Sequence, residues 1–146
     1  MPTRNLEDAC SFLREAVPQL LDKFNGRYQA FGRVARVGDV LRTTEEQQAE
    51  YAIGRTTGVP GKVVTHADGI HSISNHQAQA IHGETCSHAV DVNIFTLGGY
   101  LLGQKPGEEH VYYPLIGLAC ALGIKSGGDW MRPDLPHLAC PYGEGL

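Results

Sequence analysis

The stretch from residue 89 to 95 constrains the fold most. Val90, Val92 and Ile94 alternate with Ala89, Asp91 and Asn93. Alternation with a period of two marks a strand that buries one face and turns the other outward. Such a strand holds Asp91 and Asn93 on its polar face, with directions fixed by neighbouring strands.

The flanking segments supply the layer that covers it. Leu6, Cys10, Leu13, Val17, Leu20, Leu21 and Phe24 recur at helical spacing, which predicts a helix over about 5–25 with Asn5 as N-cap. Pro18 is expected to kink or interrupt it. Residues 34–41 read as a strand. Thr43 followed by Glu46 forms a capping box and predicts a short helix ending near Ile53. Gly54, Gly58, Pro60 and Gly61 make a loop, and 62–65 reads as a short strand. Residues 69–87 look polar and irregular. A second long helix is expected over 108–122, shortened or bent by Pro114, and a strand over 124–130. The order α, β, α, β, β, α, β predicts an α+β domain with helices packed on a small, mostly antiparallel sheet.

A chain of 146 residues with 42% hydrophobic and 19% charged residues is large enough for one domain and too apolar to be disordered. Its net charge of −4 and lack of a basic run argue against nucleic-acid binding. No apolar run reaches the length of a membrane span. Residues 1–8 are polar and acidic, without the apolar core of a secretory signal, so synthesis and retention in the cytoplasm are expected unless another route releases the protein. Cys10, Cys86, Cys120 and Cys140 lie far apart with no CxxC pair, and in a reducing compartment they read as free thiols.

The chemistry-bearing residues cluster in the second half. Catalytic zinc takes three ligands from His, Asp, Glu or Cys and leaves one position open. Asp91 on a strand is a well-fixed ligand. His137 follows Pro136, which stiffens its approach, and Asp134 stands three residues before it. This assigns Asp91 and His137 to a metal and Asp134 to the general base. Spacing leaves the remaining ligand open among His76, His82 and His88, with His66 and His71 further away.

Six short motifs occur in one order: Arg42-Thr43-x-x-Glu46-Gln47, Tyr51-x-x-Gly54-Arg55-Thr56, Val64-Thr65-x-x-Asp68-Gly69, Ser74-x-His76, Ala89-Val90-Asp91 and Trp130…Asp134-x-Pro136-His137. In this the chain resembles the M15 peptidases, the VanY-type D-alanyl-D-alanine carboxypeptidases and phage L-alanyl-D-glutamate endolysins, over about residues 35–138. The resemblance implies a single hedgehog/D-Ala-D-Ala-peptidase-like domain and a zinc enzyme cutting the peptidoglycan stem peptide. It implies His76, Asp91 and His137 as zinc ligands and Asp134 as catalytic base. It implies Arg42 at the substrate carbonyl or carboxylate, with Gln47 near it and Ser74 bonding the peptide. It also suggests a monomer of phage or prophage origin that reaches the wall after holin-type release. The family's compact Ser-x-His-x-x-Gly-x-Ala-x-Asp is broken here by residues 77–86, read as a loop inserted at the cleft rim. Keeping the compact spacing rigidly puts Glu84 at the ligand position, and His82 is a third option. The flank Asp68-Gly69…Ser74-Asn75-His76-Gln77 favours His76. His66, His71, His88 and His110 read as surface residues, Trp130 as packing beneath the site, and Arg55 as a brace for its loop. The rival readings are an inactive binding module on the same scaffold, and a cysteine peptidase using Cys86 or Cys140.

Overall fold

A computed structural model describes residues 1–131 and 133–141. In chain order its elements are α1 (Ser11–Tyr28), β1 (Val34–Val37), α2 (Thr44–Ala52), β2 (Gln79–Ile81), β3 (Glu84–Cys86), β4 (Ala89–Phe95), α3 (Tyr113–Ala121), β5 (Lys125–Ser126) and β6 (His137–Ala139). The domain is α+β. One sheet has the order β1-β4-β6-β5, antiparallel throughout, and β2 pairs with β3 in a separate hairpin.

The alternating segment is the central strand β4. Val90, Val92 and Ile94 are fully buried, while Asp91 and Asn93 keep partial solvent access. The buried face packs into one core with Leu13, Val17, Leu20 and Phe24 of α1, and with Tyr112, Leu115 and Ala119 around α3. Intervals of four, three and four residues put the α1 set on one helical stripe. Tyr112 reaches across the core, and its hydroxyl accepts from the Ile94 backbone N–H at 3.2 Å.

The helix α1 starts later than the periodicity predicts. Asn5 caps a separate 3-10 turn, Leu6–Asp8, instead of the long helix. The chain then extends at Ala9 and Cys10, because Cys10 N donates to Ser87 O at 2.8 Å and Ser87 N to Asp8 O at 3.0 Å. Backbone pairing with the segment before β4 outweighs helical propensity there. Pro18 does not interrupt α1. It sits on the solvent face, where water can satisfy the carbonyl that its missing N–H leaves unbonded.

The capping box forms as expected, with Thr43 Oγ1 accepting from Glu46 N and Glu46 accepting from Thr43 N. Other expectations need correction. No strand forms over 62–65, where Arg55 Nη1 bonds the Thr65 carbonyl at 3.1 Å and that of Tyr51. Residues 69–87 are not wholly irregular: the interruption at 77–86 folds as the β2–β3 hairpin, with His82 and Gly83 both at positive φ (51° and 79°). Two successive positive-φ residues are the signature of a tight primed turn. The expected 108–122 helix is a 3-10 turn, Glu109–Tyr112, followed by α3, with Pro114 in the first turn where a missing N–H costs nothing. The strand expected over 124–130 ends at Ser126, and Gly127 opens another 3-10 turn. Among the described residues no helix is long and apolar enough to cross a membrane.

Phe24 is fully buried, and its ring lies 4.8 Å from that of Tyr28. Phe24→Ala is expected to lower unfolding free energy by about 3–5 kcal/mol. A lower urea midpoint at unchanged m-value is the expected reading; a shift within error would contradict this core assignment.

Candidate metal centre and its cleft

The β4–β6 register sets Asp91 directly opposite His137. The third residue, His76, comes from the loop before β2, and that loop is tied down at its backbone. Arg42 N donates to His76 O at 2.8 Å, and Gln77 N to Ser74 O at 3.0 Å. The Ser74 hydroxyl accepts from His76 N at 3.2 Å. His76 and His137 are 2% and 5% exposed, so neither is a surface histidine. Their rings stand edge to face with centroids 5.1 Å apart.

One donor atom from each of His76, Asp91 and His137 lies within 4.8 Å of the others. His76 Nε2 is 3.1 Å from Asp91 Oδ1, and His137 Nδ1 is 3.8 Å from the same oxygen. His76 Nδ1 lies 2.9 Å from the Val40 carbonyl. A carbonyl only accepts, so Nδ1 carries a proton there, and Nε2 is the nitrogen left to face the cluster, where its N–H donates to Asp91 until a metal ion displaces that proton. The outer-shell bond to Val40 is the usual companion of a metal-binding imidazole. Two nitrogens and one carboxylate oxygen form a set that can hold a divalent metal ion. Burial pushes the Asp91 pKa up, but the His76 hydrogen bond and the positive potential of His76, His137 and Arg42 outweigh it. The net shift is downward, which keeps the carboxylate ionised.

Asp134 stands beside this set. Asp134 N donates to Gly127 O at 2.9 Å and His137 N to Asp134 O at 3.2 Å, which closes the turn that carries both side chains. Surrounding protein and the Asp91 carboxylate raise its pKa, with partial relief from His137, His76 and Arg42. The Trp130 ring lies 4.6 Å from that of His137 and is 41% exposed, so it flanks the site at the surface and is not buried beneath it. Gly127 makes the close approach possible. A Cβ there meets Asp134 O at 2.6 Å and His137 Cβ at 3.0 Å. Gly127→Ala is therefore expected to displace Asp134 and His137 and weaken metal binding by about 10- to 100-fold, the range for lost outer-shell support. Competition titration with a chromogenic chelator reads this, with far-UV circular dichroism as the fold control; unchanged affinity would show that the approach is not needed.

Arg42 lines the cleft, with its Nη2 3.9 Å from Asp91 Oδ2 and 3.3 Å from Asp39 Oδ2. It pairs with Asp39 and Gln47, and its Nε is buried without a hydrogen-bond partner. Gln47 is fully buried behind it, accepting from Arg42 Nη1 at 3.1 Å and donating to Ala67 O at 2.9 Å. The structure thus places Gln47 as a strut for Arg42 and the 65–67 loop, off the cleft wall. Ser74 lines the cleft.

The alternatives for the first ligand lie elsewhere. Glu84 is in β3, where its two oxygens accept from Ser11 N and Ser11 Oγ, both at 2.9 Å. His82 sits in the hairpin turn, exposed. His88 is fully buried, contrary to a surface reading. Cys86 is a poor nucleophile, because burial and nearby Glu84 raise its thiol pKa. Cys140 is fully buried. Against the expectation of four free thiols, the structure pairs Cys10 with Cys140 as a disulfide and leaves Cys86 and Cys120 free.

The cleft holds about 760 Å³ and is lined by Arg42, Val64, Ser74, His76, Trp130 and His137 among others. A second recess of about 500 Å³, lined by Asp39, Asn93, Glu109 and Tyr112, meets it at Asp91 and Asp134. The 68–72 loop beside the cleft is organised by one carboxylate. Asp68 accepts from the backbone N–H groups of Ile70, His71 and Ser72 and faces His71 Nδ1 at 2.9 Å. The Ser72 and Ile70 bonds hold its pKa far below the ordinary carboxylate value. A depressed folded-state pKa stabilises the loop above the unfolded value, and this is lost as pH falls through the folded one. NMR titration of the Asp68 carboxyl carbon is expected to give a midpoint well below that of an exposed aspartate, with the loop amides shifting together; an ordinary midpoint would contradict the bonding pattern.

No protein-family model matches the chain, and no curated protein matches it in sequence.

Proposed function

We propose that this chain is a zinc peptidase that hydrolyses an amide bond in the peptidoglycan stem peptide. The observation that carries the reading is the meeting of His76, Asp91 and His137 where two recesses join, with Asp134 at the same point. The ordered motifs from Arg42 to His137 support the same assignment.

Two imidazoles and a carboxylate suit zinc in a catalytic site, which takes three protein ligands and keeps an open position. Zinc held there supplies Lewis acidity, lowering the pKa of water and polarising a carbonyl. Asp134 accepts the proton of the attacking water and returns it to the leaving amine. Its raised pKa suits a base that must hold that proton between the two events. Arg42 presents positive charge on the cleft wall, where the carbonyl oxygen becomes negative. Asp39 and Gln47 fix the guanidinium, so little reorganisation is needed during reaction.

The two recesses favour an endopeptidase, such as an L-Ala-D-Glu cleaving enzyme, over a D-Ala-D-Ala carboxypeptidase. Space lies on both sides of the Asp91–Asp134 junction, so peptide can extend both ways. Among the described residues the smaller recess is lined by Asp39, Glu109 and the site carboxylates without Arg, Lys or His. A free terminal carboxylate is repelled there, and a leaving amine is welcomed.

Purified protein incubated with peptidoglycan is expected to release peptides, to stop with a chelator and to recover with zinc. Mass spectrometry of the new termini names the bond. Asp134→Asn is expected to lower kcat by at least about 100-fold while keeping bound zinc. No cleavage at full zinc occupancy favours an inactive binding module, and cleavage indifferent to chelator excludes the zinc mechanism.

A further inference from the structure

A second cluster of metal-ligating side chains lies apart from the cleft. Cys10, His88 and Cys140 are each 0% exposed, and one donor atom from each falls within 4.8 Å of the others. They come from three places: the residue before α1, the residue before β4, and the residue after β6. We propose that these three side chains bind a thiophilic divalent metal ion, of which zinc is the type, in a structural site that staples the segments before α1 and after β6 to the central strand.

The imidazole is set for this role. His88 Nε2 lies 2.9 Å from the Gln79 carbonyl, so Nε2 carries the proton. Nδ1 then presents its lone pair, and it is Nδ1 that faces Cys140 Sγ, at 3.9 Å. A second imidazole nitrogen bonded to a backbone carbonyl is the outer-shell arrangement that orients metal-binding histidines. Cys86 Sγ lies 3.8 Å from Nε2, on the protonated side, so it is outside the donor set.

The backbone holds the three donors in place without the ion. Cys10 N bonds Ser87 O at 2.8 Å, and Cys140 N bonds His88 O at 3.1 Å. His88 N bonds Asn75 O at 2.9 Å, the residue before His76. The cluster therefore backs directly onto the loop that delivers His76 to the cleft.

Charge and reach decide what joins the sulfurs. Two thiols lose their protons on binding a divalent ion, which releases two protons and leaves a neutral assembly. Neutrality matters in a fully buried site, where an isolated charge is costly. A monovalent soft ion leaves one negative charge uncompensated. The structure draws a disulfide between Cys10 and Cys140, which is the competing assignment, but their Cα atoms are 7.9 Å apart. Disulfides usually span about 4.4–6.8 Å between Cα atoms. A bridging ion lies between its ligands and suits the wider spacing. Cys10, His88 and Cys140 supply three of the four donors that zinc takes.

Two measurements test this. Full-length protein is unfolded in denaturant with chelator and no reductant, and its thiols are counted with a chromogenic disulfide reagent. Four reactive thiols are expected, from Cys10, Cys86, Cys120 and Cys140; two would establish a disulfide and overturn the proposal. The folded protein is then loaded with cobalt(II), and its near-ultraviolet absorption is recorded. A thiolate-to-cobalt charge-transfer band is expected in the native chain, in Cys86→Ser and in Asp91→Asn, and is expected to vanish in Cys140→Ser. The cleft donors contain no sulfur, so this band is independent of the peptidase reading. No band in the cobalt-loaded native chain, or one that survives Cys140→Ser, overturns the proposal.

Discussion

Everything at the cleft depends on one backbone register, the pairing of Asp91 in β4 with His137 in β6. A slip of one residue would turn Asp91 into the core and carry Val90 or Val92 outward. The register is guarded from both sides. Val90, Val92 and Ile94 hold the buried face against α1 and α3. Asp91 N bonds Asp39 O at 2.8 Å, while Gly38 N bonds Asp91 O at 2.7 Å. The hydrophobic core therefore does more than stabilise the domain: it fixes the direction in which a carboxylate points.

The cleft is assembled from parts with different degrees of support. Asp91 is held by a ladder on two sides, and His137 by the sheet and the turn closed at Gly127. His76 rests on a loop, and its precision comes from bonds to Val40 and Ser74 and from the Arg42–His76 backbone contact. Arg42 is positioned by Gln47, whose burial makes it a support for both the guanidinium and the Ala67 carbonyl. The Cys10–His88–Cys140 cluster lies behind this arrangement. Its members come from before α1, before β4 and after β6, and the His88–Asn75 contact ties them to the His76 loop.

Legibility in the sequence followed the length and regularity of each signal. The β4 alternation, the α1 stripe and the Thr43 capping box are local patterns with a direct physical cause, and each is found close to its predicted place. The start of α1 was not legible, because the bonds that extend Ala9 and Cys10 come from Ser87, far along the chain. Strand β6 has only three residues, all buried, so no alternation announces it. The β2–β3 hairpin carries its signal in the His82-Gly83 turn and has little apolar content to reveal it. Asp91, His137 and Asp134 could be proposed from local context, whereas the choice among His76, His82 and Glu84 needed the path of the loop. The cysteine cluster was invisible, since Cys10 and Cys140 are 130 residues apart and nothing near either one points to the other.

His76, Asp91 and His137 form a set that can hold one metal ion. The most direct measurement is anomalous diffraction at the zinc absorption edge from crystals of the protein grown with zinc. A peak is expected about 2.0–2.2 Å from His76 Nε2, Asp91 Oδ1 and His137 Nδ1, the range for zinc bound by nitrogen and carboxylate oxygen. No peak there at saturating zinc, with His76 and Asp91 still bonded to each other, would contradict this assignment.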